Sequence, residues 1–196
     1  MSDTTTPDYT ARLMARRLLP TQAPYRWNLR RLRLGRVLDV GCGVGRNLQH
    51  CAEGSVGVDH NAHSIAAARE RGLIAFTSDE FTGSDEFPHG SFDALLCAHV
   101  LEHLEADIAT QLLATYLPYV RPGGRVVLIT PQEAGFASDA THVRFLGFEE
   151  LEKEAATAGL DVRRTYSFPL PRRAGRIFKY NEFVLVGAVP EAPPAD

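Results

Sequence analysis

One stretch constrains this chain more than any other: Val37-Leu38-Asp39-Val40-Gly41-Cys42-Gly43-Val44-Gly45-Arg46-Asn47. An apolar run closes around an acid, three glycines follow at every second position, and a helix-compatible segment begins after them. The pattern predicts a buried strand, a tight turn and a short helix over 47–52. Glycine serves where backbone must approach a ligand closely or turn with positive φ. A helix starting there points free N–H groups at whatever sits above the loop. Taken alone, this is a generic seat for a nucleoside or a phosphate.

The rest of the chain alternates in the same way. Helical spacing covers 9–19 and 25–32, with Pro20 and Pro24 between them, and residues 1–8 read as disordered. Strands are expected over 36–40, 55–58 (ending at Asp59), 73–77, 92–98 and 125–130, with helices over 64–71 and 101–119 between them. Gly83, Pro88 and Gly90 mark a loop, and Pro122-Gly123-Gly124 a turn. A helix over 149–158 and two closing strands, 160–168 and 181–189, finish the chain before a disordered tail, 190–196. Such alternation predicts a doubly wound α/β fold: a mostly parallel seven-stranded sheet, helices on both faces, and an antiparallel closing strand.

Composition narrows the class. No apolar run approaches membrane-spanning length and the first residues are polar, so a cytoplasmic protein without a membrane partner is expected. Cys42, Cys51 and Cys97 have neither zinc-finger nor disulfide spacing and read as reduced thiols. The net charge of −3 argues against general nucleic-acid binding. It hides an asymmetry, since residues 1–36 hold eight arginines against Asp3 and Asp8.

Several segments together resemble the class I S-adenosylmethionine (SAM) methyltransferases, over about residues 35–160. Gly41-x-Gly43-x-Gly45 behind Asp39 is similar to the loop that cradles the methionine end of SAM. Gly57-Val58-Asp59-His60-Asn61 resembles the turn whose acid accepts the ribose hydroxyls, and Ser78-Asp79 the segment that meets the adenine amino group. Ser91-Phe92-Asp93-Ala94 and Leu117-x-x-Val120-x-Pro122-Gly123-Gly124 are familial too. The resemblance implies a cofactor set of Asp39, Gly41, Gly43, Gly45, Asp59, His60, Asp79, Glu80, Ala98 and His99. It also implies a methyltransferase domain over 35–189, with N-terminal helices in 1–34 covering the cofactor and substrate. Tyr9, Tyr25 and Trp27 are then lid candidates, with core packing the favoured reading for Trp27.

The reacting groups should lie where strand ends open into loops. His99-Val100-Leu101-Glu102-His103 follows the fourth strand, and on a helix His99, Glu102 and His103 would share a face. The loop after the fifth strand brings His142 to the same edge, and irregular loops of this length are usually functional. His142, Glu102 and His103 are thus the expected catalytic residues. With His99 they also form a metal-ligand set, similar to that of small-RNA 2′-O-methyltransferases, with zinc, manganese or magnesium as candidate ions. A metal-free reading stands beside it, with His142 as base. The pattern resembles small actinobacterial O-methyltransferases of sugars and secondary metabolites. It implies a small-molecule hydroxyl acceptor, a saccharide first, then phenolic or quinone-type substrates; a homodimer is one candidate assembly. An RNA 2′-O-methyltransferase and a catalytically silent SAM-binding partner module are the alternatives.

Overall fold

The computed structural model describes Thr6, Thr10, Ala11 and residues 23–191. The disorder expected over 1–8 and the helix expected over 9–19, with Tyr9, fall almost wholly outside the described residues, as does the tail beyond 191. The elements in order are α1 (Ala23–Leu32), β1 (Val37–Val40), β2 (Val56–Asp59), α2 (Ala62–Glu70), β3 (Ala75–Thr77), α3 (Ser78–Thr82) and β4 (Phe92–Ala98). Then come α4 (Ala106–Tyr116), β5 (Val120–Pro131), α5 (Glu133–Phe136), α6 (Phe148–Thr157), β6 (Asp161–Phe168) and β7 (Glu182–Ala188).

The sheet has seven strands in the order β3-β2-β1-β4-β5-β7-β6. Strands β1 to β5 pair in parallel, and β7 runs antiparallel to both of its neighbours. Period-two alternation sorts the strand side chains between two cores. Leu38, Leu95, Leu128 and Leu185 face Leu113 of α4 and Leu151 of α6. Their neighbours Val37, Leu96, Val127 and Val184 face Leu29 and Leu32 of α1. A one-residue slip would exchange every one of these pairs, so the register is held by burial on both faces. Chain order reverses between β1 and β4, which opens a crevice above their C-terminal ends.

Four local expectations change. The helix over 47–52 is only a 3-10 turn, Leu48–His50, because Cys51 is already extended at ψ 170°. The glycine loop therefore has no full helix N-terminus above it. The helix over 101–119 breaks into a 3-10 turn, Leu101–His103, an extended Leu104, and then α4. Pro122-Gly123-Gly124 is drawn into β5, because Gly123 N–H and the Gly124 carbonyl both pair with Val189, at 3.0 and 2.9 Å. Trp27 is not in the core; it is 56% exposed and stacks on Phe168. Cys42, Cys51 and Cys97 are free thiols, and burial pushes Cys51 up to about 12.

Candidate active site

The crevice is a cavity of about 570 Å3, lined on one side by the glycine loop and on the other by the ends of β4, β5 and β7. A volume of that order holds a nucleoside and a small second molecule together.

The first half is made largely of backbone. Gly41 turns at φ 75°, and a Cβ there would lie 2.1 Å from Val100 Cγ2, so only glycine fits. The N–H groups of Gly41 and Cys42 both donate to the Val58 carbonyl, at 2.7 and 3.0 Å, which ties the loop to β2. Asp59 closes the same joint: its carboxylate accepts from Gly43 N–H and from Asn61 N–H, both at 2.8 Å. Asp59 also borders the cavity, and each oxygen of a carboxylate can accept more than one hydrogen bond. Asn61 then caps α2 through its own side chain.

Of the expected cofactor residues, Gly41, Gly43, Asp59, His60, Ala98 and His99 line the cavity. Asp39 and Gly45 sit beneath it. Gly45, at φ 74°, packs over Leu73. Asp39 is buried, with one carboxylate oxygen lacking any hydrogen-bond donor. Burial and the charge of Asp59 push it up to about 7, against the opposing pull of Arg46 and the Leu48 N–H. Asp79 and Glu80 are exposed in the first turn of α3. Glu80 does not face the cavity: it closes a capping box with Thr77 and pairs with Arg69 at 2.6 Å, and that pairing holds its carboxyl below the usual range. Ser78 takes the cavity position beside them.

The second half is made of side chains from three distant segments. His99 ends β4 in the left-handed region, φ 60°, a strained conformation for a residue with a Cβ. The chain reverses through His99 and Val100 into the 3-10 turn Leu101–His103, and His99 Nδ1 lies 3.3 Å from Glu102 Oε1. Glu102 is wholly buried, and neither of its oxygens receives a geometrically sound hydrogen bond. The other face of His99 meets Glu182, which opens β7, at 2.7 Å. Burial alone would lower His99, but the carboxylates on either side raise it to about 9.

The long loop after β5 reaches this turn because its backbone is sewn to it. Val143 and Arg144 N–H groups both donate to the Glu102 carbonyl, at 2.8 and 3.2 Å. Thr130 Oγ1 fixes the loop's far end by donating to the Leu146 carbonyl. His142 Nδ1 bonds the Phe136 carbonyl at 2.8 Å, and His103 Nδ1 bonds that of Thr141 at 3.2 Å. A carbonyl only accepts, so each Nδ1 carries the proton and each neutral ring keeps its lone pair on Nε2. His142 Nε2 lies 3.9 Å from Glu102 Oε1, and the two imidazoles meet edge to face at 4.7 Å. Burial is the main reason that His103 is lowered.

Ligand atoms of Glu102, His103 and His142 all lie within 4.8 Å of one another. An orphaned buried carboxylate beside two oriented imidazoles fits a divalent metal of the zinc, manganese or iron type better than magnesium. His99 stands apart from that set, held instead between two acids.

Several residues of the site were not expected from the sequence. Arg46 and Lys179 supply cations to the lining, and Tyr180 offers its carbonyl at the mouth to the hydroxyl of Tyr25, itself a lid candidate. Glu182 carried a signal of its own, a single acid opening an otherwise apolar strand.

A sequence profile described as a methyltransferase domain matches residues 9–165. Phosphoethanolamine N-methyltransferase 1 of Arabidopsis thaliana is 33% identical over 101 residues, which are 47% of this chain and 20% of that protein. The match thus spans about a fifth of that relative's length. Among solved structures, a SAM-dependent methyltransferase from Archaeoglobus fulgidus aligns with a TM-score of 0.66 at 22% identity, over 84% of this chain and 92% of that one. Magnesium protoporphyrin IX methyltransferase from Synechocystis PCC 6803, solved with bound SAH, aligns at 0.60 and 16% identity, over 86% and 84% of the two chains.

Proposed function

We propose that this chain, which belongs to the methyltransferase-domain family, moves a methyl group onto a hydroxyl of a small molecule, a saccharide foremost. SAM, the family's methyl donor, supplies when bound an electrophilic methyl on a sulfonium. The chain's own residues then have three tasks: to hold the donor, to bring an oxygen in line with the methyl, and to take a proton.

Asp59 and the Gly41–Gly43 backbone are suited to the first task, with Arg46 as a cation for the donor's carboxylate. The observation that carries the reading is the meeting of Glu102, His103 and His142 across the cavity from that loop. An acceptor hydroxyl lying there can pass its proton to His142 Nε2. The buried Glu102 carboxylate, 3.9 Å away, stabilises the imidazolium that results. The same three side chains would hold a divalent ion, whose chemistry when bound is to acidify an attached hydroxyl. Metal content after purification, and its loss in Glu102→Gln, tests that part separately from turnover.

The partial likeness to phosphoethanolamine N-methyltransferases supports a second reading, an amine acceptor at the same place. Labelled SAM offered to panels of sugars, phenols and amines separates the two. Label in an O-methyl sugar or phenol is the expected result; label in amines alone would overturn it. His142→Ala should lower kcat by about 10²–10⁴ while SAH still raises the Tm.

A further inference from the structure

We infer that α1 and the connection between β6 and β7 form a docking face for an anionic lipid membrane, beside the cavity mouth. The connection, residues 169–181, carries Arg172, Arg173, Arg176 and Lys179 and no acid, and α1 carries Arg26, Arg30 and Arg31 and no acid. In a chain of net charge −3 this is a strong local excess. The two stretches adjoin: Trp27 of α1 stacks on Phe168, at 6.2 Å, and Tyr25 bonds the Tyr180 carbonyl. Arg172 is paired with Glu133, whereas Arg173, Arg176 and Lys179 are exposed.

Apolar side chains stand among these cations. Ile177 is 88% exposed, Trp27 56% and Leu170 43%. Arg31 lies over the Trp27 ring at 4.8 Å. Single exposed apolar residues need no explanation, but a tryptophan and two aliphatics on two adjoining segments rich in exposed cations and without an acid do. A bilayer surface satisfies both parts. Headgroup phosphates meet the guanidinium and ammonium groups, an indole rests at the headgroup boundary, and aliphatic side chains reach the acyl region.

Other occupants fit less well. A second copy would set cations against cations. A nucleic acid would use the arginines yet leave Ile177 and Leu170 without a purpose. No helix among the described residues is long and apolar enough to cross a membrane, so this contact is with the surface only. Lys179 and Tyr180 also line the cavity, which places its mouth at the docking face.

Trp27 is the single tryptophan of the chain, so intrinsic fluorescence reports from inside the contact. The full chain is titrated with phosphatidylcholine vesicles, with and without phosphatidylglycerol. The inference expects co-sedimentation, a blue shift and protection from acrylamide with anionic vesicles only, all reversed by high salt. Arg173→Glu combined with Arg176→Glu, and separately Ile177→Asp, should each weaken binding by about tenfold or more without lowering the Tm. Three results would overturn it: no sedimentation with anionic vesicles, sedimentation without a Trp27 response, or a Trp27 response to RNA but not to vesicles.

Discussion

The two halves of the cavity solve their problems with different materials. Over β1 and β2 the wall is backbone, glycine N–H groups and one carboxylate that the loop itself holds in place. Over β4, β5 and β7 it is side chains, drawn from residues 99–103, 136–143 and 182 and tied together by carbonyl contacts. In the first half the loop N–H groups and Asp59 are satisfied, and Asp39 beneath them leaves one oxygen without a donor. The second half keeps a wholly buried carboxylate that receives no hydrogen bond of sound geometry, with the His99 ring 3.3 Å away as its charge partner. Orphaned buried charge costs stability, and proteins carry it where chemistry requires it. On the proposed function, the backbone half holds the cofactor and the side-chain half reacts.

The largest test of that contrast is Glu102→Gln. It should lower kcat by about a hundredfold or more with only a small change in Tm, because removing the buried anion relieves its burial but also takes from His99 one of its two carboxylates. Thermal melts and initial rates on the same sample check this. Gly41→Ala should do the opposite, acting through structure. Its Cβ would meet Val100 Cγ2 at 2.1 Å in a left-handed turn, at a cost of about 2–4 kcal/mol by denaturant titration, with weaker SAH binding.

His99→Gln gives a smaller, pH-dependent effect. The raised His99 favours the folded state when protonated, so the native chain's advantage is full below about 6.5 and is lost as pH rises through about 9. Melts from pH 6 to 10 should show the gap closing. Asp39→Asn has a pH dependence of the opposite sign. Here the fold disfavours ionisation, so native stability falls as pH rises from the ordinary carboxyl value near 3.8 to about 7. The variant should gain on the native chain over that range and then run parallel to it.

The same division governs what could be read in the chain itself. The sheet and its reversed last strand followed from alternation, because burial on both faces leaves the strands little choice. The glycine loop and Asp59 were legible since they are contiguous segments whose geometry is local. Glu80 misled, because an acid three residues after Thr77 serves a helix cap as well as it would a ligand. His99 misled for another reason. Its spacing from Glu102 and His103 was read on a helix, but the chain makes a 3-10 turn there, and Glu182, 83 residues away, takes the other side of the ring. No local pattern shows that a strand opening so far along will deliver a carboxylate to the end of β4. Trp27 was placed in the core by its type, whereas α1 buries Leu29 and Leu32 and turns the indole outward.

Calorimetric titration of SAH into the native chain, Asp59→Ala and Glu102→Gln tests the division most directly. The account predicts that Asp59→Ala loses affinity by about a hundredfold, two hydrogen bonds to a charged group being removed. Glu102→Gln should bind SAH within about threefold of the native chain while turnover collapses. Equal loss of SAH binding in both variants, or undiminished binding by Asp59→Ala, would contradict it.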